Sequence, residues 1–290
     1  MKLGKVAFCS TGGGASGICQ VGMLKAAHDL GLEYNTILGT SVGALNAVLY
    51  HQGDLDVMEY LWMNIKNSDV YSSNPFSWGQ TVTEKAAIYD SSPLYRLIKK
   101  HINYSKVQSN PRDFWINATD ATKQDRYSLE SKTLSEEELA TFIFASAAAP
   151  VYFPPVKFRG RTLLDGGLVN NFSLTEAVYK DCDTLVVFRP SFFATKPIKN
   201  ITDMIGLVVK ISSKGYWDEE LRAIQEMNKI LSECKKVCPA MDLSPINTVE
   251  ISPDRDFGID ILDFNYKEDR KQLIDYGYYL AKDILERAFN

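Results

Sequence analysis

Residues 35 to 47 read NTILGTSVGALNA. Thr36 to Thr40 has the apolar character of a strand and Val42 to His51 the pattern of a helix, so the chain turns from one into the other around Ser41. So abrupt a bend needs small residues on both sides, and Gly39 and Gly43 supply them. It leaves Ser41 at the apex and the N–H of Val42 at a helix N-terminus. Two readings are open: a tight turn, or the G-x-S-x-G elbow that exposes a serine nucleophile and aims the Val42 N–H at a developing oxyanion. The preceding segment follows a similar plan. Lys5 to Ser10 reads as a strand, Thr11 to Gly17 as a glycine-rich loop, and Ile18 to Leu30 as a helix stopped by Gly31. On that helix Ile18, Val21, Leu24 and Ala27 or His28 share one stripe. Strand, loop, helix, strand, turn, helix predicts an α/β fold with a mostly parallel central sheet sandwiched by helices.

Residues 64 to 112 are rich in Ser, Asn, Tyr and Pro and read as less regular, with SSNPFSWGQ an exposed loop carrying aromatics. Phe114 to Ala118 is expected to be a third core strand, with Tyr127 to Leu129 beside it. Ser135 and Glu138 form a capping box for a helix running to about Ala148. Val156 to Phe158, the turn Arg159-Gly160-Arg161, and Thr162 to Leu164 read as a hairpin delivering Asp165-Gly166-Gly167. Thr184 to Phe188 is a further strand, helices are expected in about 203 to 236, Thr248 to Ile251 is a late strand, and the last helix spans about Lys267 to Phe289. No repeat, low-complexity tract or linker interrupts the chain. The expectation is one domain over residues 1–290, with a motif-bearing core of about 5–190 and a helical C-terminal part of about 200–290.

A serine hydroxyl is a weak nucleophile until a base takes its proton. The three histidines, His28, His51 and His101, all precede residue 102, whereas α/β-hydrolases place theirs after the serine and the acid. His28 lies in the first helix, His51 one helix beyond Ser41 and pointing away from it, and His101 in a basic helix end. An ordinary Ser-His-Asp triad therefore fits badly. Asp165 is the substitute: it ends an apolar strand, where α/β sites gather, and Gly166 and Gly167 leave room beside it. A turn-capping aspartate is the other reading of the same residue. The loop Gly12-Gly13-Gly14-Ala15-Ser16-Gly17 also fits the dinucleotide fingerprint, but the second strand ends in Gly-Thr-Ser, and Glu33 precedes that strand instead of following it. The same loop is a row of backbone donors at a helix N-terminus, an anion cradle.

GGGASG, GTSVG, ASAAAPVYFPPV and DGGLVNN follow one another in order. Over about residues 5 to 190 this set resembles the patatin-like phospholipases, lipid acyl hydrolases that work with a Ser-Asp dyad and no histidine. The resemblance implies that Ser41 is the nucleophile and Asp165 the base. It places the oxyanion hole at Gly12, Gly13, Gly14 and the N–H of Val42, and makes Gly17, Gly39, Gly43, Gly166 and Gly167 motif glycines. It calls for no cofactor and no metal. Many members carry Arg or Lys where this chain has Ser16, a departure that bears on headgroup affinity or on how the loop is held.

The implied partner is a lipid or acyl-ester substrate. A net charge of −4 with no Lys/Arg block argues against nucleic acid. Cys9, Cys19, Cys182, Cys234 and Cys238 form an odd, scattered set, which reads as reduced thiols in a cytoplasmic protein; no histidine near Cys234 and Cys238 completes a zinc site. Val6 to Cys9 is too short for a signal-peptide core, and Phe142 to Val156 is broken by Pro150, Pro154 and Pro155. With no strongly basic amphipathic helix, at most weak, peripheral membrane contact is expected. Tyr71, Phe76, Trp78, Tyr89, Tyr95, Phe192-Phe193 and Tyr216-Trp217 are candidates to line an acyl channel or meet a lipid surface, ordinary core aromatics being the other reading. A non-catalytic lipid-binding or regulatory protein, and a nucleotide-dependent oxidoreductase, are the competing functions; an acyltransferase is a variant of the first. Oligomeric state is not legible in the sequence.

Overall fold

The computed structural model describes residues 4–73, 87–190, 197–199, 201–238 and 245–289. The first strands and helices fall where the alternation of patterns places them: β1 (Val6–Ser10), α1 (Ile18–Asp29), β2 (Thr36–Thr40) and α2 (Val42–His51). Next come α3 (Leu55–Asn64), α4 (Ser92–His101), α5 (Tyr104–Ser109), β3 (Asp113–Asp120) and β4 (Asp125–Glu130). The chain continues through α6 (Glu136–Ser146), β5 (Val156–Phe158), β6 (Arg161–Asp165), α7 (Leu174–Tyr179), β7 (Thr184–Phe188), α8 (Ile201–Val237), β8 (Asn247–Ile251) and α9 (Arg270–Phe289).

These eight strands form one sheet. Along β8-β7-β1-β2-β3 every pairing is parallel, and β4, β5 and β6 add antiparallel pairings. Both faces are covered. Phe8, Ile37, Phe114, Val186 and Ile251 belong to one apolar core, and their alternating neighbours Ala7, Cys9, Leu38, Leu185 and Val187 to the other. That is why these strands read as continuous apolar runs. The helix α9 packs directly on α1 through glycines. A Cβ on Gly22 would lie 1.8 Å from the Ile274 carbonyl oxygen, and one on Gly277 would lie 2.1 Å from that of Cys19.

One detail of register decides the chemistry. β4 runs along one edge of β3 from Trp115 to Asp120. The opposite edge is shared end to end: Thr40 of β2 sits beside Asn117, and Asp165 of β6 sits beside Ala118. The last residues of two strands that are distant in sequence therefore abut. Ser41 follows the first of them, and Asp165 is the second.

Several expectations need correction. The stretch 64 to 112, read as less regular apart from a basic helix end at His101, contains two helices, α4 and α5. In α4 only Leu94 and Ile98 are fully buried, one turn apart on a short polar helix, so its apolar signal is weak. The helices expected in about 203 to 236 are one continuous α8 of 37 residues. Trp217, for which a lipid-facing and a core position were both open, is buried with its ring 5.0 Å from that of Phe172. Tyr71 and Tyr89 pack on each other at 4.5 Å, and Tyr95 packs on Phe144 at 5.2 Å. Phe76, Trp78, Phe192 and Phe193 lie outside the described residues. No helix among the described residues is long and apolar enough to cross a membrane.

Candidate active site

The parallel strands β1, β2, β7 and β8 all present their C-terminal ends to the same edge of the sheet, where α/β proteins gather functional groups. At that edge Ser41 stands with φ 55° and ψ −131°. This left-handed backbone is strained for any residue but glycine and is held only by its surroundings. They are close: a Cβ on Gly43 would fall 2.1 Å from the carbonyl oxygen of Ser10, so α2 can begin there only with glycine at that position. The Ser41 N–H donates to Ser146 Oγ at 2.9 Å, and that hydroxyl donates to the Asn117 carbonyl at 2.5 Å.

Ser41 Oγ donates to Asp165 Oδ2 at 2.6 Å. The other carboxylate oxygen, Oδ1, accepts from the Gly167 N–H at 2.8 Å. The Asp165 backbone is fixed on both sides, its N–H donating to Ala148 at 2.9 Å and its carbonyl accepting from Thr119 Oγ1 at 2.8 Å. Burial disfavours the carboxylate and pushes its pKa up to about 6, against the opposing pull of the Ser41 and Gly167 hydrogen bonds. The histidines stand elsewhere. His51 is buried with Nδ1 3.0 Å from the Tyr34 hydroxyl, and burial lowers its pKa to about 4. His28 is exposed, and His101 lies at the end of α4 on the wall of the cavity described below.

The glycine loop lies against the serine. The Gly12 N–H donates to Asn171 Oδ1 at 2.7 Å. Ser16 Oγ donates back to the Gly13 carbonyl at 2.7 Å and so ties the loop to itself. Gly14 has φ 58°, and the next N–H, that of Ala15, donates to the Ile261 carbonyl at 2.8 Å. Gly12, Gly13, Gly14, Ser41, Val42 and Asp165 together line one cavity of about 210 Å³. One limb is apolar, walled by Leu45, Val48 and Leu49 of α2, Leu61 of α3, and Leu94 and Ile98 of α4. Trp62, Tyr152, Phe153, Phe172, Phe257 and Phe264 are the aromatics on the cavity wall, and Tyr71, Tyr89, Tyr95, Tyr216 and Trp217 are not among them. Among the described residues no group of His, Cys, Asp and Glu is placed to hold a metal ion.

Sequence reasoning missed Asn171, Ser146 and Thr119. The first two stand inside the quoted motifs DGGLVNN and ASAAAPVYFPPV. Their roles depend on approaches across 159 and 105 residues of chain.

A hydroxyl on a strained elbow, a buried carboxylate accepting its hydrogen, and a row of backbone amides beside them are the groups that acyl transfer uses. The model of the patatin-like phospholipase family matches residues 8–178, more than half of the chain, and the chain belongs to that family. It is 29% identical over 164 residues to the lysophospholipase nte1 of Aspergillus terreus, a match covering 56% of this chain and 10% of that protein. It is 28% identical over 178 residues to the lysophospholipase NTE1 of Phaeosphaeria nodorum, covering 61% of this chain and 11% of that one. The matches thus span about a tenth of the length of these curated relatives. The crystal structure of VipD from Legionella pneumophila shares the fold, with a TM-score of 0.50 at 14% identity over 99% of this chain and 67% of that one.

Proposed function

We propose that the chain is a lipid acyl hydrolase that cleaves carboxylic esters of phospholipids or lysophospholipids, with Ser41 as nucleophile and Asp165 as base. The observation that carries this reading is the 2.6 Å hydrogen bond from Ser41 Oγ to a carboxylate that burial has made more basic. The lysophospholipase names of the relatives support the substrate class.

With a pKa of about 6, Asp165 is ionised at neutral pH and is a better proton acceptor than a solvated carboxylate. As Ser41 Oγ attacks the ester carbonyl, its proton passes to Asp165 Oδ2. The negative charge moves to the former carbonyl oxygen. Gly12 is committed to Asn171, so the donors for that oxyanion are the N–H groups of Gly13 and Gly14 with that of Val42, which opens α2 and has no partner within its own helix. The Gly13 carbonyl is held by Ser16, and a trans peptide points its N–H the opposite way, which fixes the direction of the Gly14 donor. Collapse of the intermediate expels the alcohol, which takes the proton from Asp165. Water, deprotonated by the same carboxylate, then releases the acid from Ser41.

The oxidoreductase reading loses its acid, because Glu33 is an exposed ion-pair partner of Arg112. The test is labelling with a fluorophosphonate, with the adduct located by mass spectrometry and fatty-acid release from lysophosphatidylcholine measured alongside. Adduct on Ser41, and release that disappears in Ser41→Ala, is the expected result. Folded protein with neither label nor release would favour a non-catalytic lipid-binding protein.

A further inference from the structure

Three buried side chains from three different helices stand behind the glycine loop. Gln20 comes from α1, Asn46 from α2 and Trp62 from α3. A buried amide costs stability unless its N–H groups and its oxygen all have partners. Here they all do.

The Trp62 indole Nε1–H donates to Asn46 Oδ1 at 2.7 Å. Asn46 Nδ2 donates to the Gly17 carbonyl at 3.0 Å and to Gln20 Oε1 at 2.8 Å. Gln20 Nε2 donates to the Thr11 carbonyl at 2.8 Å and to the Phe188 carbonyl at 2.7 Å. Both protons of each amide are therefore engaged, and so are both amide oxygens. The direction of this relay is unambiguous. An indole N–H can only donate and a backbone carbonyl can only accept, so neither amide can turn over without setting oxygen against oxygen. A buried network satisfied to this degree is stiff.

The relay ends on the two ends of the loop. Thr11 opens the loop and Gly17 closes it. Phe188 is the last residue of β7, and its carbonyl also accepts the Thr11 N–H at 3.2 Å, so the loop's first residue is tied to the sheet. The indole presses on the loop directly as well: a Cβ on Gly17 would lie 3.0 Å from Trp62 Cζ2. Asn171 and Ser16 hold Gly12 and Gly13 within the loop, whereas the relay holds its termini. Trp62 and Asn46 both line the cavity. Asn46 stands five residues beyond Ser41, roughly 7 Å along α2. Its amide protons and the single indole N–H are already engaged, so neither side chain has a donor left for a substrate. Any part they play in turnover is exerted through the loop.

We infer that Trp62, Asn46 and Gln20 are positioning residues: the relay that begins at Trp62 on the cavity wall pins both ends of the proposed oxyanion loop, and turnover depends on an indole N–H that makes no bond to the substrate. This rests on the hydrolase reading above for the role of the loop, and one readout of its test is independent of turnover.

Trp62→Phe keeps an aromatic ring on the wall and removes the N–H. Gln20→Met keeps a side chain of similar length, lies off the cavity wall and removes the other end of the relay. Thermal unfolding establishes that each variant is folded at the assay temperature, and either one alone carries the test. The substrate is para-nitrophenyl acetate, whose acyl group is too short to fill the apolar limb. In each variant kcat is expected to fall about tenfold or more, with KM changed by less than about twofold. The double variant is expected to lose less than the product of the two single losses, because both act through one network. Hydrogen exchange of the amides of residues 11–17, read by mass spectrometry, is expected to be about tenfold faster in both variants. If Trp62 only lines the acyl limb, Trp62→Phe raises KM for para-nitrophenyl palmitate and leaves the acetate unaffected, and that result overturns the inference. Exchange unchanged in both variants, or single losses that multiply in the double variant, overturns it too. A parent protein without turnover whose variants show the faster exchange keeps the relay and removes the hydrolase reading. A parent that cleaves the acetate, with variants that match it, removes the relay and keeps the hydrolase reading.

Discussion

Replacing Asp165 by asparagine is expected to slow acyl transfer sharply and, at neutral pH, to make the protein more stable. The folded protein holds this carboxyl at a pKa of about 6, against 3.8 for the free side chain. A difference of roughly two units corresponds to about 3 kcal/mol by which ionised Asp165 weakens the fold at pH 7. The sign follows from proton binding. Below about pH 4 both folded and unfolded chains carry the proton and the neutral group does no harm. Between about 4 and 6 the unfolded chain loses its proton first, and stability drains away as pH rises toward the folded pKa. Asparagine has the same shape, can accept from the Gly167 N–H, can donate to Ser41 Oγ, and never ionises. The difference in stability between variant and parent is thus smallest near pH 4, grows to about pH 6 and is flat above about 7. At the plateau it amounts to about 5 to 10 °C in melting temperature for a chain of this size. Thermal unfolding of both proteins across that range checks it, since every other titrating group is common to the two. Hydrolysis falls by about 10²- to 10⁴-fold, the usual worth of a general base. A stability difference independent of pH, or an asparagine variant less stable throughout, would refute the reasoning.

The pH profile of kcat/KM on a soluble ester is expected to rise through about pH 6 and level off above it, as Asp165 ionises; an inflection displaced by two units in either direction contradicts the assignment. His51, which burial lowers to about 4, does not account for that inflection. Asn171→Ala leaves the buried Gly12 N–H without its acceptor, costing about 1–3 kcal/mol in urea unfolding, and slows ester turnover through the loosened loop. Gly43→Ala drives a methyl group into the Ser10 carbonyl and is expected to lower stability by about 3 kcal/mol, read from the same unfolding curves.

What could be read without coordinates was whatever is local. Strand β1, the glycine loop, α1, β2 and the elbow follow from changes of hydrophobic period within the first 51 residues. The capping box of Ser135 and Glu138 and the turn at Arg159-Gly160 place α6 and the β5–β6 hairpin. The histidine count sent attention to Asp165. Other parts depend on approaches between distant segments. Nothing in the sequence tells that β2 and β6 share one edge of β3, yet that register brings the hydroxyl and the carboxylate together. Asn171 and Ser146 look like ordinary polar residues until the chain folds around them. Gly206 and Gly215 make α8 read as broken, although the helix runs straight through both. Trp217 beside Tyr216 reads equally as lipid-facing or as core, and packing buries it against Phe172.

The hydrogen bond from Ala15 to the Ile261 carbonyl has a consequence in time. As the chain is synthesised, the glycine loop, the elbow and Asp165 all emerge well before residue 261. Each can take its local shape early, but the loop gains its backing only when the segment leading into α9 arrives and α9 settles on α1. Contacts so far apart in sequence are among the slowest to form. The nascent chain therefore carries its serine and its carboxylate without a backed glycine loop until residue 261 has emerged, and under the proposed mechanism capacity for acyl transfer waits for α9.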